Sequence, residues 1–458
     1  MPARLGHARL GHARLRHARL RALAVGAAAA GALAGCSTDK LLTVSNPSIA
    51  NPSTLSGTAG LPAYYAGAIG DFAVGYSGND TYEGLINYGG LLTDEWGSSD
   101  TFPTRNETDR RSTQLDNANN ADIYRAIQRS RASTEQAAAQ YAQFSPASDK
   151  RSEVLSLAGF AYVLIGESYC SGVPFSALAP DGSTISSGQP QTSDQIFQIA
   201  QAKFDTAITI AAAAKNDSLR YLAYVGRARA LMDRGPSQYG AAAAQQVDSV
   251  PASFSYVLFA SANTGRQNNG IWQFNIQQQR LTAVDKEGTN GLPFLSDSDS
   301  RVRYNDTKSP GFDQTRDLVQ QLKYPARTSS IPLATGTEAL LIQAEAALNA
   351  GSATTFISFL QQARTSLGDN VTIVDPGASG TARTDLLFKE RAYSLWLTAH
   401  RLGDLRRMIK YYGYQANNIF PVGAYSYGGA YGTDVNLPIP VQEQNNPNYT
   451  GSCNKAQP

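Results

Sequence analysis

Apolar residues recur at helical spacing through most of the chain, and short polar breaks divide it into separate helices. Residues 59 to 74 are a loosely amphipathic first stretch. From Ala118 to Phe144 the apolar positions Ile123, Ala126, Ile127, Ala137, Tyr141 and Phe144 are separated by good helix formers. Asp149 can cap a next helix with the stripe Val154, Ala158, Ala161 and Ile165, which Cys170-Ser171-Gly172-Val173-Pro174 terminates. A third helix starts near Thr192 or Ser193 and runs to about Ala214 through Ile196, Ile199, Phe204, Ala207 and Ile208. After the break Asn216-Asp217-Ser218, Leu219 to Arg234 completes an αα-hairpin. A second hairpin is expected at Thr337 to Ala350 and Ala353 to Leu367, and a long last helix from Thr384 to about Tyr412. Residues 236 to 333 break this pattern. They are rich in Gly, Pro, Asn and Gln, with strand-like runs at Phe254–Phe259 and Gly270–Ile276. Another irregular stretch follows Gly413. The fold class expected is mainly α: divergent tetratricopeptide-like hairpins stacked into a curved scaffold, with long irregular insertions and few short strands. No strict 34-residue period is visible.

The N-terminus follows different rules. Six arginines and no acidic residue precede an Ala-rich segment, Ala22 to Ala34, that ends in Leu33-Ala34-Gly35-Cys36. This is the layout of a secretory leader, too short in its apolar part to span a bilayer. The tetrad resembles the lipobox of bacterial lipoproteins, in which the cysteine is acylated and becomes the new N-terminus. The expected organisation is a leader at 1–35, a Ser/Thr/Asn/Pro-rich tether at 36–58 and one domain at 59–458.

That division changes the charge. The whole chain has 39 basic and 37 acidic residues, but without the leader's six arginines the balance is 33 to 37, a net charge of −4. The basic surplus belongs to the leader and makes no case for a nucleic-acid partner. Beyond Cys36 only Cys170 and Cys453 remain. In an oxidising envelope they can form a disulfide or stand as two separate small residues; the bridge is the expectation carried forward. Charged residues make up 17% of the chain, while tyrosines number 23, a composition that suits contact with sugars and equally suits exposed loops.

Five local matches then occur in order. Gly89-Gly90-Leu91-Leu92-Thr93-Asp94-Glu95-Trp96 resembles the N-terminal (S/T)-D-E segment of SusD/RagB-like proteins. Leu155 to Phe175 resembles that family's helix running into Y-G-x-V-P. Ile331-Pro332-Leu333 through Glu345-Ala346-Ala347-Leu348-Asn349-Ala350-Gly351 is similar to its A-E-A-x-N-x-G hairpin. Glu390-Arg391 through Arg401-Leu402-Gly403-Asp404-Leu405-Arg406-Arg407 resembles its E-R…G-x-R-x-x-D-L-x-R helix. Leu437 to Pro447 is similar to its closing I-P-x-x-E-x-x-x-N-P. Thr398-Ala399 depart from the Glu-Gly common in the family, and Cys170 takes a glycine-adjacent position. The resemblance implies an outer-membrane lipoprotein facing the exterior that captures a nutrient, a glycan or oligosaccharide first and an oligopeptide second. It implies delivery to a TonB-dependent, SusC-like outer-membrane transporter, with no catalysis, cofactor or metal.

The residues themselves leave rivals in view. Asp94 and Glu95 are adjacent carboxylates and invite a glycoside-hydrolase reading, although neighbours in sequence usually point apart. A helical-repeat adaptor for peptides or proteins is the other rival. His400 is the one histidine beyond the leader, is expected within a helix, and makes no catalytic or zinc constellation. Glu390, Arg391, Arg401, Asp404 and Arg407 are expected on one helix as a scaffold network. For ligand contact, sugar rings stack on aromatic faces while amides and arginines bond hydroxyls. The candidates are Trp96, Arg105 and Asn106 in one polar loop, Trp272 in an Asn/Gln-rich stretch, and Tyr304 with Asn305 in another loop. Trp396 is expected in the core.

Overall fold

The computed structural model describes residues 55–178, 184–451 and 453–458. The leader, Cys36 and most of the tether lie outside the described residues. Helices dominate: α1 (Gly57–Ser77), α2 (Gly84–Leu91), α3 (Pro103–Asp109), α4 (Ala118–Phe144), α5 (Asp149–Ser168), α6 (Ser193–Ala213) and α7 (Asp217–Arg234). They continue with α8 (Pro236–Val247), α9 (Gly336–Asn349), α10 (Ala353–Ser366), α11 (Ala382–Ser394) and α12 (Arg401–Tyr412). Their starts follow from capping. The Asn117 carbonyl accepts from Asn120 N–H, Thr192 and Gln195 form a reciprocal capping box, and Asn216 and Thr335 cap α7 and α9. Gly413, in the left-handed conformation, ends α12.

The packing is serial: α1 lies on α4, α4 on α5, α5 on α6, and so on through α7, α8, α9 and α10. A stack of this kind buries each helix against its neighbours in the chain, as in helical repeats. The fold class expected from periodicity is the one observed. α5 is its axis; from Val154 to Ser168 every residue is buried.

Three expectations need correction. The irregular insertion does not begin at 236, because Pro236 occupies the first turn of α8, where its missing N–H costs nothing. The run Gly270–Ile276 is helical, not extended: Asn269 caps the turn Gly270–Trp272, which continues as a π-helical turn, Gln273–Gln277. The long last helix is broken in two. Leu397 and Ala399 take φ of 55° and 60°, a region unfavourable for side chains other than glycine. The break persists because distant groups satisfy its backbone: Glu95 accepts from Leu397 N–H at 2.8 Å, Tyr324 donates to Leu397 O at 3.0 Å, and Tyr76 donates to Thr398 O at 3.1 Å. Trp396 is buried there, in the core as expected. His400 consequently sits at the N-cap of α12, not inside a helix, with Nε2 3.0 Å from Glu338.

The break divides the expected charge network between α11 and α12 without dissolving it. Arg391 of α11 makes a two-pronged bond to Asp404 of α12, both at 2.9 Å. Arg407 bonds Asp404 at 2.8 Å, Glu345 of α9 twice at 3.0 Å, and Asp233 of α7 at 2.8 Å. Arg229 of α7 grips Glu167 of α5. Arg401 does not turn to Asp404 but to Asp94, at 2.7 and 2.8 Å. All these groups are buried, so each charge depends on its partners for the solvation that water would have supplied.

The strands are short: β1 (Trp96–Ser98), β2 (Ser255–Leu258), β3 (Leu281–Ala283), β4 (Tyr304–Pro310), β5 (Asp317–Gln321) and β6 (Ile331–Thr335), with four two-residue strands between Val173 and Gln191. All pair antiparallel: β1 with β3 (Gly97 opposite Thr282), β2 with β6 (Ile331 opposite Leu258), and β4 with β5 (Tyr304 opposite Gln321). Thr282 ties β3 to β5, its hydroxyl donating to Asp317 O and accepting from Val319 N–H, both at 2.8 Å. At the far end of α5, Cys170 and Cys453 are joined as a disulfide with Cα atoms 5.6 Å apart. The tail runs alongside the helix end, with Leu437 N–H donating to Ser168 O and Cys170 N–H to Leu437 O.

Candidate functional site

Four chain segments meet beyond the ends of β1, β3 and the β4–β5 hairpin. The hairpin tip is seated by its backbone: Phe312 N–H donates to Gln279 O at 2.9 Å and Asp313 N–H to Ser99 O at 3.0 Å. Ser99 N–H in turn donates to Arg280 O. From the C-terminal segment, the Tyr427 hydroxyl reaches Ser98 O at 2.8 Å and Asp313. The result is an exposed strip. The Arg280 guanidinium lies 3.8 Å from the Phe312 ring centroid and 5.1 Å from that of Phe102. Phe102 is 52% exposed and Phe312 42%. Exposed phenylalanines held in place by a fixed cation offer flat apolar faces at little ordering cost.

Beneath the strip the polar groups are committed to one another. Asp100 binds Arg280 at 2.6 Å and also Arg105, which reaches Glu83 as well. Arg316 bridges Asp109 at 3.1 Å and Glu287 at 2.6 Å. Tyr425 donates to Asp109 and Tyr431 to Glu287. Burial pushes the Asp109 carboxyl upward while Arg316 pulls it back, and burial next to these carboxylates raises the phenols of Tyr425 and Tyr431. These ion pairs and hydrogen bonds fix the loops beneath the rings.

Several sequence candidates fall elsewhere. Trp96 is fully buried on β1, so it cannot stack on a ligand; its indole covers Gly90 so closely that a Cβ there would meet Cδ1 at 2.5 Å. Arg105 is buried in its ion pairs over the Phe274 ring, and Asn106, half-buried, donates to Asp100 O at 3.2 Å. Both support the Asp100 loop from below. Trp272 is half-buried in its helical turn. Tyr304 and Asn305 are exposed, but on the body of β4, where Asn305 bonds Gln320 across the hairpin. The strip is made instead by Phe102, Arg280, Phe312 and Tyr427, none of them among the sequence candidates. Their one shared signal is an aromatic set in a turn-rich stretch, as in Ser309-Pro310-Gly311-Phe312-Asp313 and Tyr425-Ser426-Tyr427-Gly428-Gly429.

The carboxylate pair of the hydrolase reading is occupied. Asp94 holds Arg401 and accepts from Leu292 N–H, while Glu95 accepts from Leu397 N–H; both side chains are buried. Burial raises the Glu95 carboxyl to about 7. Among the described residues no group of His, Cys, Asp or Glu has the arrangement of a metal site, and no helix is long and apolar enough to cross a membrane.

No protein-family profile matches the sequence, and no curated protein matches it. Solved structures do match in fold. A SusD homolog from Bacteroides thetaiotaomicron superposes with a TM-score of 0.61 at 12% identity, over 87% of this chain and 98% of that one. A SusD superfamily protein from Bacteroides fragilis gives 0.58 at 14% identity, over 86% and 99%. Surface glycan-binding protein A from Bacteroides uniformis gives 0.57 at 13% identity, over 78% and 90%. The chain has the SusD-like fold.

Proposed function

We propose that this chain is a SusD/RagB-family lipoprotein that captures glycans at the outer surface of the outer membrane and hands them to a TonB-dependent, SusC-like transporter. Residues 1–35 are its leader, Cys36 its lipid anchor, 36–58 its tether and 59–458 its binding domain. The observation that carries the reading is the exposed Phe102–Arg280–Phe312 strip, built on a fold shared with a surface glycan-binding protein. Ring faces of this kind pack against the C–H faces of sugars, and Arg280 can bond hydroxyls. Such contacts are modest and reversible, as a protein that must release its cargo requires. The hydrolase alternative loses its motive, because Asp94 and Glu95 are engaged in holding the α11–α12 break and its neighbours.

The test is affinity electrophoresis in soluble starch, xylan, mixed-linkage β-glucan and galactomannan, with sugar release assayed in parallel. Retardation by at least one polymer without release of reducing ends is expected. A variant with Phe102→Ala and Phe312→Ala should lose about tenfold in affinity, the scale of roughly 1–1.5 kcal/mol for an aromatic contact. Turnover, or normal binding by that variant, refutes the assignment. Cys36→Ala should move the protein out of the membrane fraction, and co-purification from detergent-solubilised envelopes should recover a TonB-dependent transporter.

A further inference from the structure

A second surface is built from α1, α5 and the chain around β2, and it shares no residue with the strip. Here a half-open groove of about 670 Å³ lies between α1 and the segment from Tyr256 to Asn268. That volume falls within the roughly 300–1,000 Å³ of typical ligand clefts. Its walls are aromatic and held still. The Tyr65 and Tyr256 hydroxyls both donate to the Glu153 carboxylate, at 2.6 and 2.7 Å, so both rings are fixed by one acceptor. Phe259, in the groove lining, is 82% exposed.

The groove's floor is formed by glycines of α1. Nothing lies within 4 Å of where a Cβ would stand at Gly67 or Gly70. Glycine inside a helix destabilises it relative to alanine, and at these two positions no neighbour demands it. What the absent side chains leave is room. The charges in the lining are already matched: Arg266 pairs with Asp71, and Glu153 is taken up by the two phenols. The remaining polar groups include the amides of Asn263 and Gln267. An occupant recognised by fixed ring faces and neutral amides, without net charge, is itself neutral and hydroxyl-rich.

We infer that this groove is a second carbohydrate-binding site, engaging a further stretch of the same polymer that the Phe102–Arg280–Phe312 strip holds. The inference rests on the glycan reading above. Two separated contacts on one chain of sugars raise its affinity through effective concentration, while a short oligosaccharide engages one site at a time.

The test compares Gly67→Leu and Phe259→Ala with the wild-type protein. Gly67→Leu fills the groove from a position with open space, and leucine is a better helix former than glycine; Phe259→Ala removes an exposed ring. Each should weaken retention on whichever of the four polysaccharides the wild-type protein binds by at least fivefold. For a tetrasaccharide of the same polymer the number bound per protein should fall from two to one while the remaining site keeps its affinity within twofold, with thermal melts matching wild type; two bound tetrasaccharides in both variants would overturn the groove site. If wild type binds the polymer and both variants bind it equally well, the groove is not a glycan site and the strip reading stands. If wild type binds none of the four polymers, the glycan reading fails and the groove site fails with it.

Discussion

Arginine does opposite work in the helical body and at the loop end. In the body Arg407 of α12 faces three carboxylates, Asp404 on its own helix, Glu345 on α9 and Asp233 on α7, and so ties three helices together. At the loop end Arg280 faces one carboxylate, Asp100, and spends the rest of its surface between two exposed rings. A buried guanidinium is held by partners of fixed geometry, so it dictates which helices meet and how. Arg280, half-buried with a single carboxylate partner, is less fully engaged, so it can orient rings and still meet a ligand. The difference separates what keeps the molecule folded from what it offers outward.

The sharpest way to break that separation is to remove Arg407. Arg407→Ala leaves buried carboxylates unpaired and should cost about 3–5 kcal/mol in urea denaturation, with glycan affinity of the folded protein unchanged. Trp96→Ala tests the same line at a residue the sequence offered for binding. The loss of a buried indole should cost roughly 3–5 kcal/mol and again spare affinity; lost affinity with an unchanged melt would return Trp96 to the site. The third effect depends on pH. Burial keeps Glu95 protonated up to about pH 7, while its ordinary value is 4.5. The folded chain therefore holds that proton longer than the unfolded one, and this contribution to stability is lost as pH rises from about 4.5 through 7. Glu95→Gln should flatten the stability profile across that window, measured as denaturation midpoints at half-unit intervals. At the loop end, Arg280→Ala should weaken glycan binding several-fold and cost about 1–3 kcal/mol of stability, less than Arg407→Ala because Asp100 keeps Arg105 as a partner. Smallest of all, Tyr304→Ala should leave both affinity and melt close to wild type.

The helical scaffold was legible because its signals are local. Caps such as Asn117, Thr192, Asn216 and Thr335 sit within three residues of the groups they satisfy, and the apolar stripes repeat within each helix. The α11–α12 break was not legible, since Leu397 and Ala399 are ordinary helix formers. Their strained backbone is supported by Glu95, Tyr324 and Tyr76, all more than seventy positions away. The burial of Trp96 was hidden for a related reason. Trp96 stands in a polar-looking stretch, but that stretch is a strand covered by α2 and β3. The strip is composed of Phe102, Arg280, Phe312 and Tyr427, residues brought together by long-range bonds: backbone ones among Ser99, Gln279, Arg280, Phe312 and Asp313, and side-chain ones from Arg280 to Asp100 and from Tyr427 to Ser98 and Asp313.

Those bonds also govern how the surface of the strip could be exchanged. No one loop owns the strip: the hairpin tip hangs from the carbonyls of Ser99 and Gln279, and Arg280 is aimed by a carboxylate on the Phe102 loop. Transplanting any one of the four segments from another protein would discard supports of the others. The unit of exchange is then the set of segments together, so successful grafts should move all four, and single-loop libraries should yield folded proteins with an unchanged strip.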